Sequence, residues 1–172
     1  AEPSIRTLAI ECLAHPDNAG QIGPSLRARL DTDRECAYYV VRALGRLKYA
    51  EAVPDLMAFH LKAAPLEKVA VIEALGAIGT PAAVRFLEAE LHGRDRERRR
   101  AAAAALARHH RDGRLATFLT LSRAEDWSLR NTAAWALGEI GSEEAIPALR
   151  KLTGDPEEVV ARTARSALEK LG

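Results

Sequence analysis

Apolar positions recur along this chain with a fixed period, one at every thirty-first position. The clearest column is a leucine that returns without slippage at Leu13, Leu44, Leu75, Leu106, Leu137 and Leu168. Its neighbours repeat too, because an alanine or cysteine precedes each leucine and a glycine or alanine follows all but the last. A fixed period in this range is typical of solenoids, in which one small unit stacks on copies of itself.

Within one repeat, the spacing of apolar and polar residues predicts two helices. Between Ser128 and Ile140 the apolar residues and alanines share one broad helical face, and Gly141 is suited to end that helix. Ser142 can cap a second helix, whose apolar positions are Ile146, Leu149 and Leu152. A break follows at residues 153–156. Each unit is therefore predicted to be a helical hairpin whose apolar faces must be covered by its neighbours.

Charged residues keep the same period as the leucines. Acids stand at predicted helix N-termini at Glu2, Asp33, Asp95, Asp126 and Glu157. A few residues later, a column of bases holds Arg6, Lys68, Arg99 and Arg130. We expect acids and bases of neighbouring units to form a ladder of ion pairs, each contributing about 0–1 kcal/mol if exposed.

One repeat reads Leu129-Arg130-x-x-Ala133-Ala134-x-Ala136-Leu137-Gly138-x-Ile140-Gly141, followed by Ala145-Ile146-Pro147-Ala148-Leu149. With this motif the chain resembles the HEAT-like repeat family of the phycobilisome-lyase type. The resemblance implies an all-α fold, a right-handed α-solenoid (α-α superhelix) of about five and a half HEAT-like helical hairpins. We expect a single repeat domain over 1–172, with units near 1–31, 32–62, 63–93, 94–124 and 125–154 and a C-terminal capping helix at 155–172.

The two ends of the repeat array differ in polarity. In the last helix Arg165 and Glu169 occupy columns that elsewhere hold apolar residues or glycine, which is typical of a terminal cap. The first helix carries Ile5 and Leu8 without such a cap, and the chain opens at Ala1 with no methionine. We therefore expect the chain to be a fragment of a longer protein, or a second chain to cover this helix.

Composition narrows the class of protein. Apolar residues make up 48% of the chain and aromatic residues 5%, which suits close contact between helices. The formal net charge is +1, so the whole chain is not strongly attracted to polyanions. No apolar run approaches the roughly 20 residues needed to cross a bilayer, and we expect a cytoplasmic protein without a membrane partner. Cys12 and Cys36 fall in repeat columns and are predicted to be buried thiols.

The resemblance implies that the second helix of each hairpin lines a concave groove. The outward columns of these helices vary between units, and they hold Tyr, Trp and Arg, which are enriched at binding hot spots. Small residues such as Ala70 and Ala104 leave room for a helix of a partner. The alternative is that Tyr38 and Trp135 only pack against neighbouring helices. The predicted partner-binding residues are Tyr38, Tyr39, Arg42, Arg46, Glu73, Arg100, Arg108, Asn131, Trp135 and Glu139.

A basic run in the fourth unit is a second candidate surface. Five arginines lie in the stretch from Arg94 to Arg100, and more bases follow at Arg108, His109, His110, Arg111 and Arg114. Such a patch suits phosphates or an acidic protein surface. The simpler interpretation, which we favour, is a solvated helix start whose charge Asp95 and Glu97 reduce. Arg98 is unusual because it stands in an apolar column.

Motifs for catalysis or metal binding are absent from the sequence. None of the five histidines forms His-Glu-x-x-His or the paired His-Glu dipeptides of HEAT-like di-iron hydroxylases. There is also no Gly-rich phosphate loop and no G-x-S-x-G. A Cys–His nucleophile pair stays open, but no local signature supports one. We therefore predict no metal site, no cofactor and no catalytic residues.

Three functions remain at this point. The first is a non-catalytic scaffold that binds a protein or peptide in the concave groove. The second is a bilin lyase-type or chromophore-associated subunit, in which arginines would hold the propionates and Tyr or Trp would stack on the rings. The third is nucleic-acid binding through the basic fourth unit, against which the low net charge argues. We favour the scaffold.

Overall fold

The computed structural model describes residues 9–10, 14–109 and 113–172, and they fall into two compact units. Unit 1 ends at Glu90 and unit 2 begins at Leu91. Unit 1 contains α1 (Ala19–Arg29), α2 (Ala37–Arg46), α3 (Val53–Lys62), α4 (Pro65–Ile78) and α5 (Pro81–Glu90). Unit 2 contains α6 (Arg96–His109), α7 (Leu115–Leu121), α8 (Trp127–Ile140), α9 (Ile146–Leu152) and α10 (Glu158–Glu169). Short 3₁₀ turns occupy Pro16–Asn18, Ala50–Ala52 and Glu143–Ala145.

Every second helix of the chain stacks on its counterpart within the same unit. In unit 1, α2 packs along α4, while α1 lies against α2 and α3 and α5 lie against α4. In unit 2, α8 lies between α6 and α10, with α7 against α8 and α9 against both α8 and α10. We call α2, α4, α6, α8 and α10 the B helices and the others the A helices. The all-α architecture of stacked hairpins that the sequence predicts is confirmed inside each unit.

The repeated leucine forms the core of both units. Leu44, Leu75, Leu106 and Leu137 are fully buried, at 0% exposure, in successive B helices. Leu168, in the last B helix, is only half-buried. Cys36 is fully buried, as predicted. Leu13, Cys12 and the predicted contact of Ile5 and Leu8 lie outside the described residues.

The glycine that follows the leucine sets how closely the B helices approach. A methyl group added at Gly45 in α2 would lie 2.7 Å from the backbone Cα of Ala74 in α4. At Gly138 in α8, the same group would lie 2.7 Å from the Cβ of Ala167 in α10. Real Cβ atoms do not approach other carbons this closely, so the absent side chain allows the helices to touch backbone to backbone.

The predicted ladder of ion pairs exists where Arg99 meets the next repeat. Arg99 is 8% exposed, and its Nη2 donates to Asp126 Oδ2 at 3.1 Å and to the Ser128 hydroxyl. Its Nη1 also donates to the carbonyl oxygens of Gly93 and Arg94, at 2.9 and 3.0 Å. One buried guanidinium therefore joins the loop before α6 to the start of α8.

The next step of the ladder uses a different acid from the predicted one. Arg130 donates from Nε and Nη2 to the two carboxylate oxygens of Asp155, at 2.7 and 2.9 Å, and not to Glu157. The Asp155 side chain is only 4% exposed, so this pair is buried and not the exposed contact that was expected. Arg130 also donates to the carbonyl oxygens of Ala124 and Glu125. The loop between α9 and α10 brings Asp155 toward α8, which the repeat spacing alone did not indicate.

The predicted N-terminal acids cap some helices and not others. Asp126 Oδ1 accepts from the backbone N–H of Ser128 at 2.8 Å, and Asp95 Oδ1 accepts from Arg98 N–H at 3.0 Å. Glu157 occupies the N-cap position of α10, but its side chain makes no cap hydrogen bond. Asp155 Oδ1 accepts from the Glu157 N–H instead, at 3.0 Å. Aspartate is shorter than glutamate, and from two residues before Glu157 its carboxylate reaches the Glu157 N–H. The longer Glu157 side chain is less suited to accept a hydrogen bond from the first turn of its own helix.

These contacts make the stability of unit 2 sensitive to acid. Hydrogen bonds from Arg130 hold the pKa of Asp155 below its usual range, and the hydrogen bond with the Ser128 side chain does so for the pKa of Asp126. A carboxylate whose pKa is lowered by folding contributes stability above its unfolded pKa of about 3.9, and loses it as the pH falls through the folded value.

We expect the free energy of unfolding to fall as the pH is lowered below about 5, and to fall less steeply in Asp155→Asn. The asparagine variant lacks the group that binds a proton on unfolding. Urea unfolding of both proteins between about pH 3 and pH 7 measures the slope. Parallel pH profiles for the two proteins would show that Asp155 does not contribute to the acid sensitivity.

Candidate functional site

In unit 1 the predicted binding residues share the outward side of α2 and α4. Tyr38 and Tyr39 are half-buried and contact each other edge to face, with ring centroids 5.3 Å apart. The Arg42 guanidinium lies 5.6 Å from the centroid of the Tyr38 ring. Arg42 and Arg46 line a shallow cavity of about 190 Å³ with Glu73 on the opposite helix. Its floor is formed by Ala70, Ala74 and Ala77.

One outward column turns out to lie nearer the core than predicted. Ala70 is 2% exposed and Thr132 is 5% exposed, although helical geometry placed both on the outward side. The reason is the close contact between B helices, which covers the edge of each outward face. The remaining predicted residues of unit 1 and unit 2 are half-buried or exposed.

In unit 2, Trp135 is half-buried in the middle of α8. The guanidinium of Arg108, at the end of α6, lies 5.8 Å from the Trp135 ring centroid. Glu139, one turn further along α8, accepts a hydrogen bond from Lys170 Nζ of α10. Arg100 is exposed and lies 3.8 Å from the carboxylate of its helix neighbour Glu97. These contacts bring Arg108 to Trp135 and Glu139 to α10, whereas the contact of Arg100 stays within α6.

The predicted binding residues include none from α10, although this helix contributes to the surface around Trp135. Trp135 lines a cavity of about 330 Å³ together with Arg162, Thr163, Ser166, Ala167 and Lys170. Most of these residues occupy the same outward repeat columns as the predicted ones, and these shared columns were the signal that could have identified them.

The basic run of the fourth unit is not one surface. Arg99 is buried in the ladder, and the Arg98 side chain is 25% exposed with its Nε 3.9 Å from Asp95 Oδ2. The Arg96 guanidinium stacks 4.3 Å from the centroid of the Trp127 ring, at the start of α8. Trp127 therefore has a structural contact at this helix start. Arg111 and His110 lie outside the described residues, as does the side chain of His109.

A larger cavity of about 710 Å³ lies beside the A helices of unit 2. It is lined by Leu119 and Arg123 around the end of α7, by Pro147 and Lys151 of α9, and by Pro156 in the following loop. The repeat columns did not predict this cavity, because the loop before α10 forms part of its lining.

Within residues 9–10, 14–109 and 113–172, no three or more His, Cys, Asp or Glu side chains come together in a group able to hold a metal ion. No helix within those ranges has the length and apolar character needed to cross a membrane.

The comparisons with known proteins agree on the fold. The structure is similar to human deoxyhypusine hydroxylase, solved in complex with glycerol, with a TM-score of 0.53 and 18% sequence identity. The similarity covers 99% of this chain and 80% of that one, and at this identity it shows the fold alone. No curated protein matches the sequence. The narrower resemblance to phycobilisome lyases stays a prediction.

The profile of HEAT repeats matches the sequence twice, over residues 23–107 and 89–169. The two matches overlap and together span most of the chain. This agrees with the stacked hairpins, the buried leucine column and the ladder of arginine and aspartate described above. The chain therefore belongs to the HEAT-repeat family.

Proposed function

We propose that this protein is a non-catalytic scaffold that binds a segment of a partner protein on the outward faces of its B helices. HEAT repeats form a helical scaffold, and their regular core leaves function to the residues that differ between repeats. Here those residues are the aromatic and arginine side chains of α2 in unit 1 and of α6, α8 and α10 in unit 2.

The observation that carries the proposal is the position of Trp135. Trp135 is half-buried in the middle of α8, a helix that has B helices on both sides, and it borders an open cavity of about 330 Å³. The same column holds Arg42 and Glu73 in unit 1, so no requirement of the core explains an aromatic residue there. A large aromatic side chain beside a cavity, with an arginine over its ring, is a typical hot-spot arrangement.

An enzymatic role has less support. The likeness to deoxyhypusine hydroxylase is a likeness of fold, since the identity is 18%. Among the histidines, His60 lies near Glu90, at 4.0 Å, but this pair sits between α3 and α5 and is not part of either outward face. The scaffold therefore accounts for more of the described side chains than catalysis does.

We expect Trp135→Ala to weaken binding of a partner by about tenfold or more, because truncating a hot-spot tryptophan costs at least about 1.4 kcal/mol. Arg42→Ala tests the face of unit 1 in the same way. Quantitative affinity capture, with binding of the identified partner then measured by titration, gives the affinities.

Trp127→Ala is the matched control, because it removes the same side chain from the same helix at a position that stacks on Arg96 and does not line the cavity. Circular dichroism verifies that each variant is folded. Equal binding by the wild type, Trp135→Ala and Arg42→Ala would reject the proposal.

A further inference from the structure

The net charge of the chain is low because its two units carry net charges of opposite sign. Residues 1–90 contain 10 Lys and Arg against 12 Asp and Glu, whereas residues 91–172 contain 15 against 12. The formal charge is therefore −2 in the first segment and +3 in the second. Partner selection by charge has to be considered for each unit separately.

Within unit 2, the positive charge is concentrated on the B-helix face. Its outward columns hold Arg100, Arg108, Arg162 and Lys170, with Glu139 as the only acid. Lys170 is paired with Glu139, and Arg100 lies near Glu97. Arg108 and Arg162 are exposed, and neither forms an ion pair with a carboxylate in the described part of the chain.

These two arginines belong to the two B helices that flank the helix of Trp135. Arg108, Trp135 and Arg162 are evenly spaced in the sequence and belong to the successive B helices α6, α8 and α10. The Arg108 guanidinium lies 5.8 Å from the centroid of the indole ring, and Arg162 lines the cavity that Trp135 borders. The result is an aromatic surface between two positive charges that no carboxylate of the described chain neutralises.

Building on the proposed function, we propose that this face binds an acidic segment of a partner protein. Two carboxylates of the segment pair with Arg108 and Arg162, and an apolar side chain between them packs on Trp135 and fills the cavity. Arginine is suited to this role, because its planar guanidinium binds a carboxylate through two parallel hydrogen bonds. Thr163 and Ser166, which also line the cavity, supply further hydrogen-bonding groups.

An acidic protein segment fits this face better than a nucleic acid does. Nucleic-acid affinity grows with the number of phosphates neutralised, commonly about 6–10 in tight complexes. Only two arginines of the described face have no carboxylate partner in the described chain, which is too few for a phosphate backbone. The basic run from Arg94 to Arg100 does not add a continuous track, because Arg99 is buried and Arg96 is stacked on Trp127.

Selection from a displayed library of short random peptides on the immobilised protein tests the proposal. We expect the enriched peptides to carry net negative charge with an apolar residue between acids. For a synthetic peptide from that set, Arg108→Glu/Arg162→Glu should raise Kd by about thirtyfold or more, measured by fluorescence anisotropy. A peptide with lysines in place of its acids should in turn bind this variant better than the wild type.

The matched control is Arg94→Glu/Arg150→Glu, which makes the same charge change at two exposed arginines of unit 2 that do not line the cavity. It should leave Kd within about twofold. Equal weakening by both double variants would overturn the proposal, because it would indicate non-specific attraction. Tighter, steeply salt-dependent binding of a single-stranded oligonucleotide that is lost in Arg108→Glu/Arg162→Glu would overturn it in favour of a nucleic acid.

The failure of this inference is distinguishable from failure of the scaffold. Enriched peptides that need Trp135 but are neutral or basic, and bind Arg108→Glu/Arg162→Glu normally, would leave the scaffold standing and reject an acidic partner. If no peptide is enriched on the wild type relative to Trp135→Ala, both proposals are rejected.

Discussion

Arg130→Met should lower the free energy of unfolding by about 3 kcal/mol, the largest stability effect that we expect from a single charged residue here. Methionine retains much of the arginine's apolar volume but removes the guanidinium that spans two repeats. The Asp155 carboxylate, 4% exposed, then loses two hydrogen bonds and its countercharge. The carbonyl groups of Ala124 and Glu125 lose their donor as well.

Urea unfolding followed by tryptophan fluorescence is the appropriate measurement. Both tryptophans of the chain, Trp127 and Trp135, lie in α8, so their emission reports on unit 2. Circular dichroism reports on the helices of the whole chain. A loss smaller than about 1 kcal/mol would show that water replaces the arginine easily and that the pair behaves like an exposed one.

Two further variants separate charge burial from the loss of a contact. Arg130→Met/Asp155→Asn should be more stable than Arg130→Met alone, because it no longer buries an uncompensated charge. Arg165→Met removes an arginine of α10 that pairs with Glu158 through side chains 49% and 80% exposed. It should change stability by less than about 1 kcal/mol.

Gly45→Ala should lower the free energy of unfolding by about 2 kcal/mol, although alanine is the better helix former. The added methyl group would meet the Cα of Ala74 at 2.7 Å and its Cβ at 2.8 Å. A backbone atom cannot rotate away, so α2 and α4 must separate and open the contact around Leu44 and Leu75. Circular dichroism during urea unfolding measures the effect, because unit 1 contains no tryptophan.

Gly20→Ala is the matched control, because Gly20 is also helical but no atom of the described structure lies within 4 Å of the added methyl group. Without a clash, only the intrinsic preference of alanine for helix remains, and stability should rise by up to about 1 kcal/mol. If Gly45→Ala were also stabilising, the B helices would approach less tightly than the geometry around Gly45 indicates.

The period of the sequence was sufficient to predict the elements of unit 2 closely. The helix expected from Ser128 to Ile140 runs from Trp127 to Ile140, and Gly141 ends it with a φ of +74°. These features depend on the local spacing of apolar residues and on the residue at the helix end. Both recur in each repeat. The buried leucines follow for the same reason, because one column faces the neighbouring repeat in every copy.

Contacts through loops were harder to predict. The ladder was expected to join Arg130 to an acid of the repeating column in a neighbouring unit, yet Arg130 binds Asp155, which is outside that column. Repeat columns give the position of a residue along its helix, but not the path of the chain between α9 and α10. The same limit applies to the larger cavity beside Pro156, which that loop helps to form.

By itself, the sequence determined that helical hairpins stack with a buried leucine in successive B helices of each unit, because the same pattern recurs in every repeat. Only the tertiary structure decided which charged side chains remain on the surface. Arg99 is buried inside unit 2, while Arg108 and Arg162 stay exposed beside Trp135. The direction of a side chain at a helix edge depends on the neighbouring helix that it meets, and that neighbour belongs to the next repeat of the chain.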